Sequence, residues 1–183
     1  MVETTENAGG ACLPCGRKQP QQMGNVHIEE VSSPADLRIL RDLFAEYAAE
    51  LDVDLRFQGF QAELDGLPGL YSPPKGRLLL ARCDTQPAGC VALRPLTGLT
   101  CEMKRLFVRT TWRRRQVGRL LAQRLLNEAR LIGFERMVLD TLAHMTPAIR
   151  LYESLGFRRC PPYYPNPLPN PVYMDLKLRS GHL

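Results

Sequence analysis

Apolar and polar positions alternate over Val26-His-Ile-Glu-Glu-Val31, which predicts a first strand. Ser32-Ser-Pro-Ala-Asp36 then opens a helix: Ser33 suits the cap, Pro34 the first helical position, and Asp36 completes a capping-box-like pattern. Leu37, Leu40, Phe44, Tyr47, Ala48 and Leu51 follow at steps of three and four and define one apolar face. A short second helix is predicted over Phe57 to Leu67, ended by Gly66, Pro68 and Gly69. Arg77 to Cys83, Ala88 to Leu93 and Leu99 to Val108 read as three strands joined by turns at Asp84-Thr-Gln-Pro87 and Pro95 to Gly98.

The period then returns to that of a helix. Val117, Leu121, Leu125, Ala129 and Ile132 form a stripe that Gly133 terminates. Arg136 to Leu142 is a strand. Thr146 and Pro147 begin another helix as cap and first residue, with Ala148, Leu151, Tyr152 and Leu155 as its buried stripe and Gly156 at its end. Phe157 to Cys160 begins a strand, Pro161 to Pro171 is a proline-rich loop, and Val172 to Leu178 is the last strand. The order is β-α-α-β-β-β-α-β-α-β-β. The three-strand meander should pair antiparallel, and the strand-helix-strand from Leu99 through Met137 should make a right-handed parallel crossover. The expectation is an α/β fold, a mixed sheet with helices on both faces. Residues 1–25 lack periodicity and read as a flexible tail; 26–180 read as one domain.

Composition narrows the function classes. The 183 residues are 44% hydrophobic and 23% charged, enough to build a core. The longest purely aliphatic stretch is Leu78 to Ala81, so no membrane span is expected, and residues 1–25 lack the apolar segment of a secretory signal. A cytoplasmic protein is the default expectation. The formal charge is +5, and arginine outnumbers lysine twenty to four. Such a balance points to an anionic partner, because guanidinium offers a planar, permanently charged fork of donors.

Cys83, Cys90 and Cys101 fall in apolar strand runs and read as small core hydrophobes. Cys12-Leu-Pro-Cys15 is half of a zinc site; no second pair of ligands follows, so no metal is expected.

Chemistry concentrates in Glu102 to Leu121, where a strand runs through a basic loop into a helix. At such a junction the first helical amides lack partners within the helix and point outward with the positive end of its dipole, which makes a phosphate site. Gly118 permits close approach, and Arg113, Arg114, Arg115 and Arg119 add positive charge. Neither a Walker A loop nor a Rossmann fingerprint is present.

Arg113-Arg-Arg-Gln116-Val-Gly118 resembles the Gln/Arg-x-x-Gly-x-Gly/Ala motif of the GNAT superfamily of acetyl-CoA-dependent N-acetyltransferases, with Gln116 where the motif has its first glycine. Ala148-Ile-Arg-Leu-Tyr152-Glu-Ser-Leu-Gly-Phe157 resembles that family's second signature, at a fitting spacing. The resemblance covers about 26–178 and implies a GNAT-like, mostly antiparallel twisted sheet. It implies that an amine attacks the acetyl thioester directly in a ternary complex. Glu102 would be the base and Tyr152 the donor to the departing thiolate. Leu106, Phe107 and Val108 would lie on the strand that pairs with pantetheine, with the Val108 amide as oxyanion donor. Arg113, Arg114, Arg115, Gln116, Val117, Gly118 and Arg119 would hold the pyrophosphate and 3′-phosphate.

The acceptor, the amine of a small molecule or peptide, would meet Phe57, Gln58, Phe60, Tyr163, Tyr164 and Asn166. His144 reads as a loop histidine. A homodimer stays open. Two other readings also stay open: a catalytically silent acyl-CoA sensor, which Gln116 keeps alive, and a nucleic-acid module on Arg109 to Arg119. The second is disfavoured because these arginines sit at a strand-helix junction instead of along an aromatic-interleaved face.

Overall fold

The computed structural model describes residues 25–51, 53, 55 and 59–178. Its elements are β1 (Val26–Glu30), α1 (Pro34–Leu51), α2 (Phe60–Asp65), β2 (Arg77–Cys83), β3 (Gln86–Pro95), β4 (Thr100–Val108), α3 (Val117–Ile132), β5 (Arg136–Leu142), α4 (Thr146–Ser154), β6 (Arg158–Arg159) and β7 (Pro171–Lys177). That is the expected order. The strands form one seven-stranded sheet in the order β1-β2-β3-β4-β5-β7-β6. Every pairing is antiparallel except β4 with β5, the expected crossover around α3. The tail and the Cys12/Cys15 pair lie outside the described residues.

Local chemistry explains the element ends. The Ser33 hydroxyl donates to Asp36 Oδ2 at 2.6 Å and accepts from the Asp36 amide at 3.1 Å, so the α1 cap forms as read. Gly133 ends α3 at φ 97°. α4 departs from expectation: Thr146 is its first helical residue and Met145 its cap, with no side-chain cap bond. The residues it buries are Ile149 and Tyr152, while Leu151 and Leu155 are half-buried. The second helix is only Phe60–Asp65, because Gly59 enters it in a left-handed conformation and Gly66 closes it.

Each sheet face carries its own core. Met103, Val117, Leu121, Leu125, Leu139, Tyr152 and Met174 pack under α3 and α4. Leu40, Leu43, Phe44, Tyr71, Leu80, Ala92 and Phe107 pack under α1 and α2. Cys83, Cys90 and Cys101 are buried and free, as the apolar runs around them suggested.

One irregularity positions the site. β3 and β4 change register between Cys90 and Ala92, opposite Arg105, whose φ is 57°. The Cys90 thiol reaches the Arg105 carbonyl at 3.6 Å. Gly89 makes the adjoining close approach possible, since a Cβ there would sit 2.3 Å from the Phe107 carbonyl oxygen. Gly89→Ala is therefore expected to destabilise the protein by about 3 kcal/mol, lowering the melting midpoint by roughly 6–12 °C. Gly118→Ala, whose added methyl would find its nearest neighbour at 3.5 Å, should leave the midpoint near wild type. Equal midpoints for the Gly89 variant and wild type would refute the close approach.

Candidate active site

The sheet opens at its centre. Parallel pairing of β4 with β5 runs only through Thr100↔Arg136, Cys101↔Met137 and Glu102↔Val138. Beyond it, β4 stays paired with β3 and β5 with β7, so the two strands part. A cavity of about 80 Å³ occupies the gap, walled by Met103–Leu106, Asp140–Leu142, Tyr152 and Tyr47 among others. The β3 ladder uses the main chain of Phe107 and Arg109, with the Arg109 amide donating to the Ala88 carbonyl at 2.9 Å. Alternation along a strand therefore turns the amides of Leu106 and Val108 toward the gap.

The N-terminus of α3 lies at the far end of β4. Gln116 precedes it at φ 62°, ψ 2°, and Arg114 also has a positive φ of 63°. Gln116 thus adopts a left-handed backbone conformation, one that glycine enters without strain. Its carbonyl accepts the first helical bond from the Leu120 amide at 3.0 Å, and its side chain caps nothing. The amides of Val117, Gly118 and Arg119 consequently have no acceptor among the described residues. These are the donors an anion would use. The arginines around them are mostly tethered. Arg113 donates to the Val108 carbonyl at 2.9 Å and pairs with Glu50. Arg115 lies 5.0 Å from the Trp112 ring centroid, and Arg119 donates to the Ser154 hydroxyl at 2.9 Å. Arg114 is exposed.

On the α1/α2 face, facing that mouth across the sheet, lies a buried charge cluster. Glu102, Lys104 and Asp140 follow the two-residue period onto one face, and Arg94 joins from β3. Glu102 has no solvent exposure: one oxygen accepts from Arg94 Nε at 2.5 Å, the other from the Tyr163 hydroxyl at 2.7 Å, with Lys104 Nζ at 3.9 Å. It lies behind the cavity wall, not on it. Arg136 pairs with Asp175 at 2.8 Å.

Asp140 does line the cavity. It accepts from the Tyr164 hydroxyl at 2.7 Å and Asn166 Nδ2 at 3.0 Å, and Lys104 Nζ stands 3.7 Å away. Burial holds the Lys104 amine below the ordinary lysine range, against the raising effect of Glu102 and Asp140. Burial, reinforced by the neighbouring carboxylates, pushes the Tyr163 and Tyr164 phenols well up. Burial would also raise the Glu63 carboxyl, but the hydrogen bonds and charge of Arg105 outweigh it, so Glu63 lies below the usual range.

Tyr152 reaches the cavity from the α3/α4 face. Its ring meets Phe157 edge-on at 5.8 Å, and no described residue hydrogen-bonds its hydroxyl. Burial raises its phenol above the ordinary range, with smaller contributions from Tyr47 and Asp140. Of the acceptor-side residues, Tyr163, Tyr164 and Asn166 join the cluster, and the Phe60 ring lies 5.0 Å from the Arg105 guanidinium. Phe57 and Gln58 lie outside the described residues. His144 is exposed, a loop histidine as read. Sequence reasoning missed Arg94, Lys104, Arg105 and Asp140 as members of the site; the available signal was isolated charge inside otherwise apolar strands.

Among the described residues no helix is long and apolar enough to cross a membrane, and no acid, histidine and cysteine cluster suits a metal. The model of the acetyltransferase (GNAT) family matches residues 38–157. A Schizosaccharomyces pombe N-acetyltransferase, itself uncharacterized, is 44% identical over 156 residues, covering 84% of this chain and 96% of its own. A solved acetyltransferase from Streptococcus agalactiae superposes with a TM-score of 0.68 at 24% identity, covering 84% of this chain and 98% of that one. A Salmonella typhimurium structure solved with its cofactor acetyl-CoA reaches 0.59 at 22% identity, covering 86% and 96%. With the split sheet and the uncapped helix as their structural counterpart, these matches show that the chain belongs to the GNAT family of acetyltransferases.

Proposed function

We propose that the protein is an acetyl-CoA-dependent N-acetyltransferase that acts on a primary amine of a small molecule or peptide, by direct attack in a ternary complex. One observation carries the reading. The gap between β4 and β5 joins an anion-ready helix terminus and Tyr152 on one side to a carboxylate–tyrosine cluster on the other. The residues present fit the donor: three unpartnered α3 amides suit a diphosphate, and the free edge of β4 offers Leu106 and Val108 to an extended amide chain. When bound, acetyl-CoA supplies a thioester-activated acetyl group.

The chain's own groups do the rest. Holding both reactants across one gap removes much of the entropic barrier. The Val108 amide, fixed toward the gap, donates to charge developing on the acyl oxygen; such fixed donors are worth about 3 kcal/mol. Tyr152 stays protonated through the ordinary pH range, so it can donate to the departing sulfur. Both Glu102 oxygens are occupied, so a proton from the amine reaches it by way of the Tyr163 hydroxyl. A CoA thioester donor also fits the cytoplasm as the site of action.

Three outcomes are expected. Acetyl-CoA raises the melting midpoint of the wild type, and Tyr152→Phe retains that shift while kcat falls by about 10²-fold; wild-type kcat in the variant would remove Tyr152 from the reaction. Tyr163→Phe, which deletes one hydroxyl, should lower kcat, and wild-type kcat in that variant would exclude the Glu102 path. Gln116→Gly should relieve a left-handed non-glycine residue, raising stability by about 1 kcal/mol and the midpoint by roughly 2–4 °C, while acetyl-CoA still binds. A lowered midpoint would show that the Gln116 side chain supports the loop.

A further inference from the structure

A second cavity, of about 290 Å³, opens on the α1/α2 face beside the charge cluster, between α2, the segment that follows it and β3. Ala62, Glu63, Leu70, Tyr71 and Arg94 are among its walls, and Arg94 is the one cation in that lining. The Arg94 side chain is 31% exposed. Its Nε is anchored at 2.5 Å to Glu102, which is wholly buried. No described residue accepts from its two Nη amino groups. The acid in the wall does not compete for them. One Glu63 oxygen accepts from Arg105 Nε at 3.0 Å and the Tyr71 hydroxyl at 2.7 Å, and the other from Arg105 Nη2 at 2.7 Å.

A guanidinium immobilised through Nε presents its remaining edge as two parallel donors, the pattern that matches the two oxygens of a carboxylate. Resting on the acetyltransferase reading above, we propose that this cavity binds a carboxylate of the acceptor, so that the substrate class is a primary amine bearing a carboxylate. Its placement suits that use. Arg94 and Glu102 are direct cross-strand partners, and Lys104, two residues farther along β4, walls the reaction gap. Two residues of strand span about 7 Å, within reach of one small molecule. The cluster is charge-balanced, with Arg94, Lys104 and Arg105 facing Glu63, Glu102 and Asp140. A zwitterion preserves that balance; a phosphate dianion would not. Leu70, 65% exposed, stands ready to cover the apolar part of the molecule.

Thiol release from acetyl-CoA would be measured for matched amines with and without a carboxylate, such as γ-aminobutyrate against propylamine, and against the corresponding aminoalkylphosphonate. The expected result is a 10- to 100-fold higher kcat/KM for the carboxylate, carried mostly by KM. Arg94→Lys, which keeps charge but loses the fork, should abolish most of that preference. Ala62→Phe, which adds bulk to the cavity from an exposed helical position and substitutes neither Arg94 nor Glu102, should raise KM for the carboxylate while leaving the melting midpoint and the acetyl-CoA shift unchanged. A normal acetyl-CoA shift with no carboxylate preference, with preference for the phosphonate, or with preference surviving both substitutions overturns this inference alone. Absence of the acetyl-CoA shift overturns the acetyltransferase reading and this inference with it.

Discussion

Hydrogen bonding between β4 and β5 stops after Glu102 and Val138, and most of the functional geometry depends on that interruption. Parallel neighbours in the middle of a sheet ordinarily stay paired, because a buried amide without an acceptor costs on the order of 1–3 kcal/mol. Here the opening is held from both sides. β4 is committed to β3 through a bulge in which Arg105 takes a left-handed conformation and Gly89 lets the Phe107 carbonyl approach. β5 is committed along its whole length to β7. Neither strand can swing across to close the gap without breaking an antiparallel ladder elsewhere, so the free edge persists and its amides remain available.

The charged cluster beneath the gap follows from the same opening. Carboxylates and cations taken out of water lose hydration that mutual attraction repays only when the geometry is good, so such clusters rarely add net stability. What this one adds is position. Tyr163 and Tyr164, from the loop before β7, donate to Glu102 of β4 and Asp140 of β5; their rings lie 5.2 Å apart and meet Tyr173 edge-on at 5.5 and 5.8 Å. Two strands whose shared ladder ends at Glu102 and Val138 are therefore spanned by one loop. The α1/α2 side of the gap is fixed by side-chain hydrogen bonds where the helix mouth is fixed by main chain.

Much of the fold was legible in the residues because each element announces its own period and its own ends. The Ser33–Asp36 cap, the glycine stop at Gly133 and the apolar stripe of α3 are local facts, and local facts survive folding. Where tertiary contacts decide, the reading failed: α4 buries Ile149 in place of Leu151, because its approach to the sheet sets the face it presents. The site divides along the same line. The helix mouth and Tyr152 sit in contiguous motifs. Arg94, Lys104 and Asp140 are single charges in three strands, and only the sheet register brings them together. The backbone angle of Gln116 was also illegible, since a residue type biases φ without fixing it.

Composition alone does not say what the arginines at the helix mouth touch. Four guanidinium groups near a helix start suggest a cationic clamp. Three of them are instead spent on the protein: Arg113 on Glu50 and the Val108 carbonyl, Arg115 on Trp112, Arg119 on Ser154. An exposed ion pair such as Arg113–Glu50 contributes little and is screened by salt. The tethering matters more than the charge. Arg113 ties the last carbonyl of β4 to a residue just before α3, so the edge that offers Leu106 and Val108 and the terminus that offers Val117 to Arg119 move as one piece. A ligand reaching from the helix mouth to the gap then meets two sets of main-chain donors already in register, and the guanidinium groups act as the struts that keep them so.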